Sequence, residues 1–191
     1  MRQYLLASLL CVVPTVLVAQ LGELQVGVVA SYGTSGPYRE GAGLVLGVAP
    51  GRIVYVGFRW IYYRGTTTTE FAPPPAGPAD VLNRAQVFAT DLDVQIPAAG
   101  GAIEIRPTIG LGMVRFAQRG RPAAGEISAH SREFFAAPGL AVQFSVGRVA
   151  VIPQMQYYFT GHSELTWPVR NKGLAVSVRL VFLSEIRRIR R

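Results

Sequence analysis

One cysteine, two histidines and no long apolar run beyond the first twenty residues set the first limits on this 191-residue chain. Cys11 has no partner for an internal disulfide, so covalent staples do not hold the fold. With only His130 and His162 beside it, a thiolate or imidazole zinc site has too few ligands. The same two histidines are the only side chains whose ordinary pKa suits proton transfer near neutrality. No glycine-rich turn leads into an amphipathic helix, which excludes a phosphate loop. After the N-terminal segment nothing approaches the ~18 consecutive apolar residues of a membrane helix.

The N-terminal segment itself, MRQYLLASLLCVVPTVLVAQ, reads as a secretory signal peptide over residues 1–19. Arg2 precedes an apolar run from Leu5 to Val18, and Ala19 sits at the cleavage position. The run is shorter than the ~20 residues of a spanning anchor. Leu10 is too large to precede a lipoprotein cysteine at position 11, and Leu17 leaves the cut site open. The net charge of +8 would suit nucleic acid, but export removes that partner.

What is present is strict alternation. In the last segment Leu174, Val176, Val178, Leu180 and Phe182 share one face, and Ala175, Ser177, Arg179 and Val181 the other. The same two-residue period marks 23–32, 41–49, 52–64, 87–96, 102–113, 139–146 and 149–159, giving eight strands with 173–182. Connections alternate between tight turns at 49–52, 97–101 and 147–148 and long joins at 33–40, 65–85, 117–134 and 160–172. This spacing predicts an all-β fold over 20–183: an eight-stranded antiparallel up-and-down barrel with short periplasmic turns and longer extracellular loops. Residues 184–191 form a basic periplasmic tail carrying Arg187, Arg188, Arg190 and Arg191.

A soluble barrel would carry its charges outward and its apolar face inward. Here the more polar face is built mainly of Gly, Ala, Ser, Gln and Thr, which suits a crowded lumen better than a solvated surface. Its charges balance near mid-strand: Arg59, Arg106 and Arg179 against Asp91, Asp93 and Glu104. Unpaired, each would cost several kcal/mol to bury, so the six are expected to form an ionic network within the lumen. Tyr55, Ile61, Ile152 and Tyr158 would fill more of that space and close it to ions. The opposite face is Val, Leu, Ile and Phe, as hydrocarbon requires, with Trp60, Tyr62, Tyr157 and Phe159 as an aromatic girdle toward the long loops. Pro107 and Pro153 fall on this outer face, where each removes a ladder donor and predicts a bulge or a missing bond.

With these segments the chain resembles small outer-membrane β-barrel proteins of the OmpA transmembrane-domain and OmpX type. A monomer without cofactor or metal is expected, and the resemblance implies residence in the outer membrane of a diderm bacterium. It implies as partners the outer-membrane lipids, lipopolysaccharide among them, and the barrel-insertion machinery. Phe182 stands where the class carries its C-terminal insertion signal, although LSEIRRIRR follows it here. A structural or surface-interaction role is expected, with Arg115, Arg119, Arg121 and Arg132 available to lipopolysaccharide phosphates or to a partner protein. The proline-rich TTTTEFAPPPAGPAD reads as an extended or mobile loop.

Two other readings are separable. Some barrels of this size deacylate lipid A with His, Ser and an acidic residue; the candidates here are His162, Ser163 and Glu164, or His130, Ser131 and Glu133. Both pairs are adjacent rather than one residue apart, so in an extended chain their side chains diverge. The third reading is a secreted soluble ligand-binding barrel. The tail gives a direct test: deleting residues 186–191 is expected to weaken binding to anionic vesicles at low salt and to have no effect at high salt. Unchanged binding at low salt excludes a contact between the tail and lipid headgroups.

Overall fold

The computed structural model describes residues 22–50, 53–72, 77–98, 102–120, 126–161, 165–167 and 169–185. The signal segment, Arg121, the His162–Ser163–Glu164 run and the arginines of the tail lie outside the described residues. Among the described residues nine strands follow in chain order: β1 (Glu23–Gly33), β2 (Glu40–Ala49), β3 (Val54–Ala72), β4 (Gly77–Val94), β5 (Ile96–Ala98), β6 (Ile103–Gly120), β7 (Ile127–Val146), β8 (Val149–Thr160) and β9 (Gly173–Glu185). Each of β1 to β4 and β5 to β9 pairs antiparallel with its neighbours in sequence; β1 also pairs with β9, and β4 with β6. The sheet is therefore closed. Glu23 at the start of β1 lies opposite Glu185 at the end of β9, so both strand ends meet on the short-turn side.

Nine strands make eight staves. β4 and β5 share one register on β6, and only Gln95 separates them. The lapse falls opposite Pro107, whose missing N–H leaves that rung without a donor. β6 itself pairs with β7 through Pro107↔Leu140 without a shift. The β7–β8 ladder lapses in the same way where Pro153 and Pro138 fall, and resumes in unchanged register each time. The prolines thus interrupt bonding without inserting a residue.

The strands are unequal in height. β3, β4, β6 and β7 run 18 to 20 residues, against 10 to 13 for β1, β2, β8 and β9. Seven extra residues add roughly 24 Å of strand. Most of 65–85 and 117–134, expected as loops, is therefore paired sheet: Thr66↔Asn83 through Ala72↔Gly77, and Phe116↔Ser131 through Gly120↔Ile127. β-branched threonines at 66–69 favour the pleated conformation, and polarity had disguised it. One half of the barrel rim thus rises as a four-stranded wall above the other.

Inside and outside are unambiguous. Leu44, Leu111, Val176 and Leu180 are 45 to 57% exposed on the outer face, while Arg59, Arg106 and Arg179 are at most 1% exposed within. Tyr55, Ile61, Ile152 and Tyr158 are fully buried in the interior.

Gly65 and Gly147 both take positive φ, at 70° and 60°. Gly147 sits in the two-residue β7–β8 turn, where a Cβ would meet nothing within 4 Å. Gly65 occupies a bulge of β3, where a Cβ would stand 1.5 Å from the Asn83 carbonyl oxygen. Gly147→Ala is expected to cost about 1 kcal/mol of left-handed strain. Gly65→Ala should cost clearly more, because backbone must move as well. Urea midpoints in detergent micelles measure both; equal losses would show that the bulge is not sterically locked.

Candidate functional site

The interior is built from residues that face inward by strand parity. Gly47, Gly57 and Gly110 leave the space that large polar side chains occupy. A Cβ on Gly57 or Gly47 would meet the Tyr55 hydroxyl at 2.2 and 2.4 Å, and one on Gly110 would meet Asp91 Oδ1 at 2.9 Å. Into this room three strands bring arginines: Arg59 from β3, Arg106 from β6 and Arg179 from β9. β4 supplies both Asp91 and Asp93, two residues apart and so on one face.

These five groups form one chain of contacts. Arg59 holds Asp91 with two nitrogens, Nε to Oδ2 at 3.0 Å and Nη2 to Oδ1 at 3.1 Å. Arg179 Nη2 reaches the same Asp91 Oδ2 at 3.1 Å, and its Nη1 lies 3.8 Å from Asp93 Oδ2. Arg106 Nη2 closes on Asp93 Oδ2 at 2.8 Å. Three cations therefore share two aspartates, and each arginine also donates to a neutral acceptor. Arg179 Nε donates to Gln154 Oε1 at 2.9 Å, and Arg59 Nη1 to the Tyr158 hydroxyl at 3.2 Å. Arg106 Nη1 donates to Gln143 Oε1, and its guanidinium lies over the Tyr55 ring, 4.5 Å from the centroid. Glu104 faces the same interior two residues from Arg106 and is half-buried.

Toward the long loops the interior becomes aromatic. The 3₁₀ turn Gly36–Tyr38 carries Tyr38 inside, where it stacks on Tyr158 at 5.0 Å and meets Tyr63 and Phe116 edge-on. Burial holds the Tyr38 phenol well above its ordinary pKa, with Tyr158 and Glu133 adding to the rise, so the ring stays neutral. Tyr63 shares a 2.8 Å hydrogen bond with Ser31. Higher still, Trp167 is fully buried against Ala79 and Val81. Its backbone N–H and carbonyl both bond to the Gln118 amide, at 3.2 and 3.0 Å, and Gln118 also donates to Asn83 at 2.9 Å. Tyr38 and Trp167 were legible only as loop residues. The available signal was a bulky aromatic set among Gly, Ser, Thr and Pro, in GPY and TWP, where water offers it little.

The outer-face candidates lie as follows. Trp60 and Tyr62 are half-buried on the outside of β3, opposite Phe88 and Gln86 of β4. Tyr157 and Phe159 are exposed on β8, their rings 4.6 Å apart. Phe182 is half exposed on β9 between Val26 and Val149, and the strand continues to Glu185. His130 is exposed on β7, while Ser131 turns to the other face and donates to Glu133. Those three side chains do not assemble. Among the described residues no cluster of His, Cys, Asp and Glu could hold a metal ion.

The architecture is that of the small outer-membrane barrels. The N-terminal β-barrel domain of Pseudomonas aeruginosa OprF matches with a TM-score of 0.54 at 7% identity, over 86% of this chain and 98% of that one. A major outer membrane protein from Thermus thermophilus gives 0.62 at 10% identity, over 85% and 99%. Neisserial surface protein A gives 0.52 at 10% identity, over 86% and 96%. No protein-family model and no curated protein matches the sequence. At such identities the likeness carries the fold alone.

Asp91 bridges two buried arginines, so Asp91→Asn leaves both short of a counter-charge. A loss of ~3–5 kcal/mol is expected, the usual cost of breaking a buried pair. Glu126→Gln, which removes the exposed partner of Arg119, should leave the urea midpoint unchanged. Comparable losses in the two variants would show that the interior charges are not coupled.

Proposed function

We propose that this chain is a monomeric outer-membrane barrel with a structural or surface-interaction role, its lumen filled by its own side chains. The inverted distribution of polarity carries the reading. Aliphatic side chains stand half exposed around the whole barrel, while five mid-strand charges are buried. In water such an apolar belt would aggregate; in hydrocarbon it is the favoured surface, and closure satisfies the backbone. An outer-membrane address also fits the short-turn end that gathers the first and last strand ends, the periplasmic side in this class.

Several finer assignments belong to the same reading. The six residues Arg59, Asp91, Asp93, Glu104, Arg106 and Arg179 act as an ionic plug. Trp60, Tyr62, Tyr157 and Phe159 anchor the barrel at the lipid interface. Phe182, outward near the periplasmic end, serves the insertion machinery. Residues 1–19 are removed on export, and the arginines following the last strand lie in the periplasm. Arg115, Arg119 and Arg132, exposed on the tall wall, face lipopolysaccharide phosphates. A non-enzymatic role is supported by the divergence of His130 and Ser131 across the two faces of β7.

Three measurements test this together. Detergent-extracted protein should migrate faster unheated than boiled and should fractionate with outer membranes. In planar bilayers it should give no steady conductance; large stable openings would contradict a filled lumen. Lipid A from cells expressing it should keep its mass, and loss of an acyl chain that depends on Ser131 or Ser163 would establish the deacylase instead.

A further inference from the structure

We propose that the outer face of the tall wall holds a specific site for an anionic membrane lipid with a phosphomonoester headgroup, its phosphate clamped by arginines and an acyl chain lying in the groove beneath. The inference rests on the membrane reading above and specifies the lipid contact. Four adjacent strands change character within two successive rows. Going up the outer face, Tyr62 is followed by Arg64 on β3, Gln86 by Arg84 on β4, Met113 by Arg115 on β6, and Phe134 by Arg132 on β7. The pairing brings these arginines together. Arg115 stands directly opposite Arg132, in the row that contains Tyr62 and Gln86. One row higher, the Gly65 bulge sets Arg64 and Gly65 opposite Arg84.

Like charges directly across a ladder are destabilising, with Cβ atoms only ~4.5–5.5 Å apart. All four arginines are exposed, and among the described residues none has an ion-pair partner. Arg119 nearby, by contrast, is matched by Glu126. An unmatched cluster of planar guanidiniums is the geometry that takes a phosphate through several N–H donors at once.

Directly below β3 and β4's share of this belt lies an apolar groove of about 450 Å³. Val26, Leu44, Leu46, Phe58, Trp60 and Phe88 line it. Trp60 faces Phe88 across the β3–β4 ladder, four residues below both Arg64 and Arg84, roughly 13 Å along the strands. The groove opens sideways from the outer apolar face, so a ligand reaches it from the bilayer. Charge above and hydrocarbon below, on one face, match the two ends of an anionic lipid.

Trp60 reports occupancy directly. Of the two tryptophans in the chain, Trp167 is buried inside, so a quencher carried on a lipid chain reaches Trp60. The protein is reconstituted in phosphatidylcholine containing a low mole fraction of brominated-chain lipid, either phosphatidate or phosphatidylcholine. Quenching by the brominated phosphatidate is expected to exceed that by brominated phosphatidylcholine at least about threefold, a modest return for arginines at a membrane surface. The variant R64Q/R84Q/R115Q/R132Q should lose the preference while keeping its heat-dependent migration. If that variant does not fold, R64Q/R84Q serves in the same comparison. Equal quenching by the two lipids, or a preference that survives in the variants, overturns the site. Absence of a heat-modifiable barrel, or of any quenching, would instead overturn the membrane reading.

Discussion

Closure of the sheet governs every other property of this molecule. Eleven consecutive pairs, Glu23↔Glu185 through Gly33↔Ala175, join the first strand to the last and leave no edge along the lower barrel. Once the ring is closed, parity assigns each side chain to one of two environments, and a slip of one residue would exchange them all. The alternation in the sequence makes sense only because the ring holds it in register. Prolines at 107, 138 and 153 are tolerated because each removes bonding locally and the ladder resumes on the same count.

Closure also creates the electrostatic problem that the interior solves. Eight staves enclose a space in which side chains are cut off from bulk water, so a lone charge there would be expelled or neutralised. The chain instead threads two aspartates between three arginines and distributes the surplus donors over Gln154, Gln143 and Tyr158. Small residues and large ones are complementary in this arrangement. Tyr55 can support Arg106 because its own ring lies across Gly47 and Gly57. The inward glycines are therefore part of the charge network, although they carry no charge.

The sequence made the barrel legible and its rim obscure, for physical reasons. Alternation such as that of 173–182 survives wherever an apolar outer face backs onto a small and polar inner one. Above the apolar belt polar residues stand on both faces of the sheet, and the contrast that reveals a strand weakens. Thr66–Thr69 therefore read as loop although they pair with Asp80–Asn83. Parity alone puts Arg59, Asp91, Asp93, Glu104, Arg106 and Arg179 on one face, yet that Asp91 serves two arginines depends on the circular order of strands distant in sequence. Tyr38 and Trp167 escaped for the opposite reason. Their positions come from chain that folds inward, where no periodicity exists to report it.

In the proposed membrane setting, the unequal height of the staves fixes how deep the molecule can sit. Above Tyr63 no described strand pairs with the free side of β3, and above Phe135 none pairs with the free side of β7. The margins of the raised wall thus present peptide N–H and C=O groups that no described strand satisfies, and hydrocarbon tolerates no such margin. The waterline is drawn by the backbone where the two ladders part. Trp60, Tyr62, Tyr157 and Phe159, the anchors in that proposed setting, lie below a level that the hydrogen bonds have already chosen.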